Sequence, residues 1–490
     1  MPTRTQPSRF ILMPTRGFTA DHPFTSASNS TFLASMRGGG RVTLSAAARR
    51  GAPIEVLDSI HENGPKLVSI SPEGVAALRA EHPGMRVVPE VFYPPALAPR
   101  PALLARVRAQ AGRANLATHT VTVLLQDTAV GLADVTVLAF TDFARGVGAQ
   151  GTTNSRGQVR LRLPASTRRI ERLYLYPEHS AWPRLLKSVA IADSYWVRAL
   201  DEGYDDSRAK CYPTLNLAHG TGVSVGVVDT GTGPHQALTL AGGRCTVLDE
   251  NPTDFADVHG HGTHVAGVIA ARAARFRGLA PSATLRAYRV FGRDSEGASN
   301  FAIAKAIDLA VADGCDLINL SLGGGPSDAL TDEAIKAARQ QGVMCVIAAG
   351  NDGGAVSWPG RHQLALCVSA MGIRGTWPRD ATQSEDLTRP YGKLDSFMAR
   401  FSNRGIAVDL TGPGVGIVST MPNDRYGVMD GTSMATPVVC GAIARALAAD
   451  AAVHTMPRDG ARADAIEGLA RRLGRDLGFA TTLQGNGLPR

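Results

Sequence analysis

From about residue 205 onwards the sequence alternates short apolar segments with amphipathic ones, and that alternation leaves few folds open. Residues 223–228, 285–291, 316–320, 343–349 and 365–370 read as mostly apolar strands. Between them, Ile303, Ala306, Ile307, Ala310 and Val311 fall on one side of a helix, and Ala334, Ile335 and Ala338 on one side of another. Strands apolar on both faces must be covered on both, and helices with one apolar face do the covering. The fold class is therefore α/β, a parallel sheet flanked by helices. Ligands bind such sheets beyond the carboxyl ends of the strands. A region of roughly 250 residues buries enough core to fold without a metal or a disulfide.

Three segments in this region place a reactive side chain at the end of an element. Asp229 follows the first strand, before Thr230-Gly231, where turn amides can hold a buried carboxylate. The run His259-Gly260-His261-Gly262-Thr263-His264 opens a helix that the pattern carries to about Arg275. A histidine cluster can bind metal, but the His-Glu-x-x-His zinc spacing is missing here. A general base at His261, with His264 packed one turn inside, is the better assignment. Ser433, in Gly431-Thr432-Ser433-Met434-Ala435-Thr436-Pro437, stands at the head of an apolar helix over 438–449. Free N–H groups at a helix start can hold an oxyanion, although a serine there is often only a cap. The combination is more specific than its parts. A serine hydroxyl needs a neighbouring base to become a nucleophile. Imidazole suits that task near neutral pH, and a buried carboxylate fixes its tautomer.

These motifs, in the order Asp, His, Ser, resemble those of the subtilisin-like (S8) serine peptidases. The likeness extends to Ile318-Asn319-Leu320-Ser321-Leu322-Gly323-Gly324, to Ala348-Ala349-Gly350-Asn351-Asp352-Gly353 and to Phe401-Ser402-Asn403-Arg404-Gly405. It also includes Gly412-Pro413-Gly414 and the closing segment around Asp476-Leu477-Gly478 and Gly485-Asn486-Gly487-Leu488, so it covers roughly residues 205–490. It implies a serine endopeptidase with Asp229, His261 and Ser433 as catalytic triad and an acyl-enzyme intermediate. It assigns Asn351, with the Ser433 N–H, to an oxyanion hole, although Asn351-Asp352-Gly353-Gly354 is also good turn sequence. Ser321, Leu322, Gly323 and Gly324 would offer backbone for a substrate to pair as an added strand. Ala348, Ala349 and Gly350 would wall the primary pocket, leaving room for a sizeable side chain, with Ser357-Trp358-Pro359 near its base. The partner is then a protein or peptide substrate, and no cofactor is required for the chemistry. Structural calcium is an option in the family. Asp254 and Asp257 are the acids considered for it, though such residues more often lie at the surface.

Two further textures precede this region, so the expected domains are 1–95, 96–200 and 201–490. In the first, residues 66–71 alternate as a strand, Ser71-Pro72-Glu73 starts a helix with Val75, Leu78 and Ala80 inward, and residues 85–93 form another strand. Leu67-Val68-Ser69-Ile70-Ser71-Pro72 and Val87-Val88-Pro89 resemble the inhibitor-like prodomain of the subtilisins. That implies an N-terminal domain that blocks its own active site and a chain made as a self-processing zymogen. The proline-rich stretch from Pro94 to Pro101 reads as a linker. Residues 116–195 show alternating strands at 121–125, 135–140, 157–163 and 172–176, the pattern of a small β-sandwich. It resembles the carboxypeptidase-regulatory and transthyretin-like sandwiches, and its presence between prodomain and protease departs from the usual layout. A self-cleaving protein and a non-catalytic binding protein on the same fold are the alternatives.

Net charge is +8, but the arginines are scattered and no nucleic-acid motif accompanies them, so no nucleic-acid partner is expected. The apolar runs, such as 343–349, fall short of the ~18 residues a membrane span needs. Phe10-Ile11-Leu12-Met13 is too short for the core of a signal peptide. Four of the six cysteines sit inside apolar segments, while Cys211 and Cys245 have the option of pairing. A cytoplasmic location is the expectation.

Overall fold

Along β14 (Ser224–Asp229) every residue after the first is buried. Val225 and Val227 face one side of the sheet and Val228 the other. This strand pairs in parallel with β16 (Thr284–Arg289) and β18 (Leu317–Leu320). The sheet grows outward through β15 (Leu240–Cys245) on one side. On the other it grows through β19 (Met344–Ala348), β20 (Leu366–Ile373) and the antiparallel β21 (Ser396–Met398), with β22 (Leu410–Pro413) beside β20. The helices His261–Ala270 and Thr432–Ala449 pack on the Val225 side, and Asn300–Ala312 and Ala329–Gln340 on the Val228 side. The parallel sheet flanked by helices is the architecture the alternating pattern demands.

The computed structural model describes residues 8–20, 27–36, 41–42, 54–98, 107–108, 115–295 and 297–490. Near the N-terminus, β1 (Ser8–Met13), β2 (Arg41–Val42), β3 (Ile54–Ser59), β4 (Lys66–Ile70) and β5 (Arg86–Pro89) form an antiparallel sheet in the order β2-β3-β4-β1-β5. The helix Pro72–Glu81 follows Ser71, whose hydroxyl caps it at Gly74 N–H, 3.2 Å away. Its inward residues are Gly74 and Leu78; Ala80 is exposed, contrary to the pattern reading, because it lies on the turn facing away from the sheet. Ile11, Met13 and Leu67 join the same apolar cluster as Phe301, Ile303 and Ile335, so the small sheet sits on the Asn300–Ala312 and Ala329–Gln340 helices. Lys305–Asp58 at 2.7 Å and Arg86–Glu333 at 3.2 Å fasten its edges. The short β6 (Phe92–Tyr93) pairs with β17 (Ala298–Ser299) of the large unit.

The middle of the chain forms two packed sheets. One holds β7 (Leu116–Leu125), β10 (Gln158–Pro164) and β13 (Ser194–Val197) in the order β10-β7-β13. The other orders β12 (Arg184–Ala190), β11 (Arg169–Pro177), β8 (Val135–Asp142) and β9 (Val147–Thr152) as β12-β11-β8-β9. Val121, Val123, Leu161, Val137 and Leu173 meet between them. The loop after β11 sends Trp182 into the main core, where its ring lies 4.7 Å from that of Tyr204. Arg172–Glu385 and Arg184–Asp380 ion pairs add to this contact.

Two helix bounds differ from the sequence expectation. The helix that begins at His261 ends at Ala270 rather than near Arg275, because Gly278 N–H returns to Ala271 O and Arg272 pairs with Arg277. The serine helix begins at Thr432, six residues before the expected start at 438, and carries Pro437 inside it. Proline cannot donate to the carbonyl four residues back; Ser321 Oγ donates to that Ser433 carbonyl instead, at 3.0 Å. Thr432–Ala449 is also long and apolar enough to cross a membrane by length and composition, but most of it is buried against the sheet as a core helix. Cys211 and Cys245 are separate buried thiols, as are the other four cysteines.

The last long helix, Gly460–Leu473, is tied to the sheet by Arg462, which is 1 % exposed. Its guanidinium donates to Gly342 O and to Asp316 Oδ1, both at 2.7 Å, while Asp316 Oδ2 accepts from Ser224 N–H at the head of β14. Truncating one partner of a buried pair strands the other charge. In the inactive Ser433→Ala background, Arg462→Met should lower the urea-unfolding free energy by about 3 kcal/mol. Arg458→Met, removing a half-exposed partner of the same carboxylate, should cost under about 1 kcal/mol.

Candidate active site

Asp229 closes β14 at the carboxyl edge of the sheet, and Thr230 turns the chain so that its own N–H donates to Asp229 Oδ1 at 2.7 Å. The same oxygen receives His261 Nδ1 at 2.6 Å. Both groups are about 2 % exposed or less. His261 is the first residue of its helix, and Gly260 before it holds φ at 84°, a left-handed turn that a side chain disfavours. Gly262 has to be glycine as well: a Cβ there would stand 2.0 Å from Gly231 O, so the helix start lies flush on the Asp229 turn.

Asp257 organises this junction. Its Oδ1 accepts from the N–H groups of His259 and Gly260 at 2.9 and 2.7 Å and from Thr230 Oγ1 at 2.8 Å. Its Oδ2 accepts from Thr263 N–H at 2.8 Å and from the Thr263 hydroxyl. One carboxylate thus satisfies the His259, Gly260 and Thr263 N–H groups, while Thr230 Oγ1, which donates to it, accepts Gly262 N–H at 2.8 Å; this locks the turn after Asp229 to the turn before His261. Burial pushes the Asp257 carboxyl above its ordinary range, although these donors pull it back. The sequence suggests for Asp257 a surface acid or a calcium ligand; the signal that it caps a helix is its place ahead of a glycine-rich helix start. Asp254 is engaged with Arg293 at 2.6 Å. Neither acid fits a calcium site, and among the described residues no group of three or more His, Cys, Asp or Glu could hold a metal ion.

His264, one turn further, is fully buried, and its Nε2 lies 2.9 Å from Ile417 O. Burial holds its pKa down at about 3, so it stays neutral and packs.

Ser433 occupies the first turn of the Thr432–Ala449 helix and is fully buried. What buries it is residues 94–98, the stretch expected to be a linker. Pro95 makes an antiparallel bridge with Leu322; Ala96 N–H donates to Ser321 O at 3.0 Å, and Gly323 N–H to Pro94 O at 3.1 Å. Beyond, Ala98 N–H donates to Asp430 O at 2.9 Å. Residues 99–101 of the expected linker lie outside the described residues. The physical reason for the correction is that proline favours an extended backbone, which serves a cleft-bound strand as well as a spacer. Gly431 permits the approach: a Cβ there would stand 2.7 Å from Ala96 O.

The Ala96 carbonyl oxygen lies among three donors. Asn351 Nδ2 donates to it, Ser433 N–H lies 3.3 Å away and Ser433 Oγ 2.6 Å away. Thr432 aims the Asn351 amide by donating to Asn351 Oδ1 from its N–H at 2.8 Å and from its hydroxyl at 3.0 Å. Ser433 Oγ is also 2.9 Å from Ser321 O, and among the described residues His261 Nε2 has no hydrogen-bond partner. Gly350, two residues beyond β19, donates from its N–H to Thr432 Oγ1 at 3.2 Å, which places the Ala348-Ala349-Gly350 segment beside the serine. Ser357 and Trp358 stand behind the Gly323–Gly325 wall, where Gly324 N–H donates to Trp358 O at 3.0 Å. The Trp358 indole points instead toward Asp328, which it shares with the Tyr93 hydroxyl at 2.6 Å.

Residues 220–466 match the model of the Subtilase family. Subtilisin BL of Lederbergia lenta is 39 % identical over 228 residues, which are 46 % of this chain and 76 % of that protein. Subtilisin Savinase of the same organism is 38 % identical over the same shares. The major intracellular serine protease of Bacillus subtilis is 33 % identical over 282 residues, 55 % of this chain and 81 % of that one. The chain belongs to the subtilase family. It is a serine endopeptidase, and subtilases need no cofactor for catalysis.

Two outcomes follow for the site of this subtilase. Asp257→Ala should cost about 3 kcal/mol of stability by stranding buried donors. It should also cut kcat at least about tenfold, with KM within about twofold, because it displaces His261 without touching the cleft that binds peptide. Asp257→Asn, which keeps an acceptor oxygen, should recover part of both in steady-state assays and urea unfolding. For His264, the folded chain holds the ring neutral and the unfolded chain binds its proton first. Its contribution is therefore complete above about pH 6.5 and declines by about 1.4 kcal/mol per pH unit as pH falls towards the folded value of about 3. Between pH 6.5 and 5, Ser433→Ala protein should lose about 2 kcal/mol more unfolding free energy than its His264→Gln derivative.

Proposed function

We propose that this subtilase is made as a zymogen whose N-terminal sheet presents residues 94–98 to its own active site, and that it cleaves the bond between Ala96 and Leu97. The observation that carries this reading is the Ala96 carbonyl oxygen held by Asn351 Nδ2, Ser433 N–H and Ser433 Oγ at the end of a paired strand. Ser433 is the nucleophile and His261 the base that takes its proton. Asp229 orients His261 and stabilises its charged form.

In the reaction, Ser433 Oγ bonds to the Ala96 carbonyl carbon and the carbonyl oxygen becomes an oxyanion. The Asn351 amide and the Ser433 N–H already point at that oxygen, so its charge develops against fixed donors. His261 then gives the proton to the Leu97 nitrogen, the Ala96–Leu97 bond breaks, and Ala96 is left as an ester on Ser433. Water, deprotonated by His261, releases it. Ser321, Leu322, Gly323 and Gly324 supply the pairing edge, and Ala348, Ala349 and Gly350 the wall next to the serine.

The same contacts make the N-terminal unit an inhibitor. Its strand fills the cleft that a substrate protein needs, and Val91 is clamped by Asn300, whose N–H donates to Val91 O at 2.8 Å and whose Oδ1 accepts Val91 N–H at 3.2 Å. Tyr93 is fully buried three residues before Ala96, held by Asp328. Residence in a reducing, cytoplasmic compartment fits six buried thiols.

Purified wild-type protein should yield a species whose N-terminal residue is Leu97, read by intact mass and N-terminal sequencing, while Ser433→Ala should stay whole. Only the cleaved form should take up a fluorophosphonate at Ser433 at full rate. Gly431→Ala, which drives a methyl group into Ala96 O, should slow processing at least about tenfold. A first residue beyond 200 would overturn the Ala96–Leu97 assignment. A wild-type chain that never reacts with the probe, even without residues 1–96, would overturn the catalytic roles.

A further inference from the structure

Phe92 and Tyr93 are neighbouring aromatic residues on the strand that leads into the cleft, and their side chains have opposite fates. Phe92 is half-exposed, while Tyr93 is fully buried. Two edges hold the backbone there. Tyr93 pairs with Ala298 of β17 on one side, and on the other Gly323 N–H holds the carbonyl of the next residue, Pro94, at 3.1 Å. Counted back from the Ala96 carbonyl at Ser433, Tyr93 is the fourth residue before the proposed cut. Its ring fits because residue 325 is glycine: a Cβ there would stand 2.5 Å from it. The ring joins the apolar cluster of Leu322, Leu330 and Phe301. Walls of that kind would take phenylalanine equally well.

The far end of the pocket is different. The Tyr93 hydroxyl lies 2.6 Å from Asp328 Oδ2 and 2.7 Å from Pro326 O. Both are acceptors, so the pocket asks its occupant for a donor. Asp328 is 9 % exposed, and its two oxygens are committed differently. Oδ1 accepts from Leu330 N–H at 3.1 Å, Thr331 N–H at 2.9 Å and Asn300 Nδ2 at 3.2 Å, which fixes the carboxylate at the head of the Ala329–Gln340 helix. None of those three bonds involves Tyr93. Oδ2 accepts from the Tyr93 hydroxyl and, at 3.3 Å, from Trp358 Nε1. Once the residues before the cut have left, Oδ2 keeps only the long indole contact, and a buried acceptor in that state is costly. Burial, followed by the Asp328 contact, pushes the Tyr93 hydroxyl well above its usual range, so it stays a donor.

We infer that this pocket serves substrates after processing, and that Asp328 and the Pro326 carbonyl make it select tyrosine over phenylalanine at the fourth position before the cleaved bond. The inference rests on the cleavage register proposed for residues 94–97. Phenylalanine would fill the same walls but strand a buried carboxylate oxygen, and a site built to bind a hydroxyl rejects the analogue that lacks it. Asp328 thus acts twice, holding a helix start with one oxygen and reading the substrate with the other.

The test uses the full-length protein after its own processing, with active sites counted by fluorophosphonate labelling of Ser433. The substrates are peptides Xaa-Pro-Pro-Ala-Leu-Ala in which Xaa is Tyr, Phe, 4-aminophenylalanine or Ala. For cleavage at the Ala-Leu bond, kcat/KM should be about 30-fold higher with Tyr than with Phe. 4-Aminophenylalanine, whose two N–H donors match the two acceptors, should do at least as well as Tyr. Asp328→Ser keeps a side chain able to cap the helix but lacks Oδ2, and should bring the Tyr-to-Phe ratio within about threefold of one. Gly325→Ala should lower the Tyr and Phe peptides together relative to the Ala peptide. Labelled wild-type enzyme that cuts the Phe peptide as fast as the Tyr peptide would overturn the subsite while leaving proteolysis and the Ala96–Leu97 register standing. A Tyr preference undiminished in Asp328→Ser would overturn the role of Asp328. Peptides cut at another bond would overturn the register and the subsite with it, and enzyme that neither labels nor cleaves would overturn the catalytic reading as well.

Discussion

The five donors gathered on Asp257 are the constraint from which the site follows. A parallel sheet brings Asp229 to its edge, but an edge does not fix where a second chain segment begins its helix. Asp257 does that by binding the turn after β14 and the start of the His261 helix with one carboxylate. Glycines at 260 and 262 then let the two segments touch. The 2.6 Å contact between His261 Nδ1 and Asp229 Oδ1 is a result of this packing. A charge hidden under the site thus aligns the groups above it.

On the serine side the corresponding device is a deficiency that is put to use. Pro437 leaves the Ser433 carbonyl without its helical partner, and Ser321 Oγ fills the gap. That bond joins the first turn of the serine helix to the strand edge with which residues 94–96 pair. Ser433 and the pairing edge are therefore one mechanical unit. The Asn351 amide is aimed in the same economical way, by Thr432, the residue directly before Ser433.

Much of this was legible in the sequence because it depends on pattern or local chemistry. Strands such as β14 and β19 are apolar on both faces, and no other arrangement buries them. Asp229, His261, Ser433 and Asn351 stand in motifs whose residue types have few other uses in combination. What could not be read depends on contacts across long separations. Pro94 and Pro95 look the same in a spacer as in a cleft; only Leu322 and Ser321, more than two hundred residues away, decide between them. Asp257 looked like a surface acid because its partners include the backbone N–H groups of His259, Gly260 and Thr263, which a side-chain motif does not display. The early start of the serine helix was hidden by Pro437, which normally signals a boundary and here receives outside help.

If the chain is cut at Ala96–Leu97 as proposed, the placement of that bond changes the kind of quantity that governs latency. While the chain is whole, the N-terminal sheet is tethered to its site, and occupancy is an internal equilibrium that dilution cannot alter. Once Ala96 and Leu97 part, the contacts through Asp58, Glu333, Tyr93 and Asn300 are unchanged, but the sheet has become a separate ligand. Its occupancy then depends on how much protein surrounds it. On that proposal, cutting one peptide bond would break none of those contacts, yet it would turn inhibition from a property of the molecule into a property of its concentration.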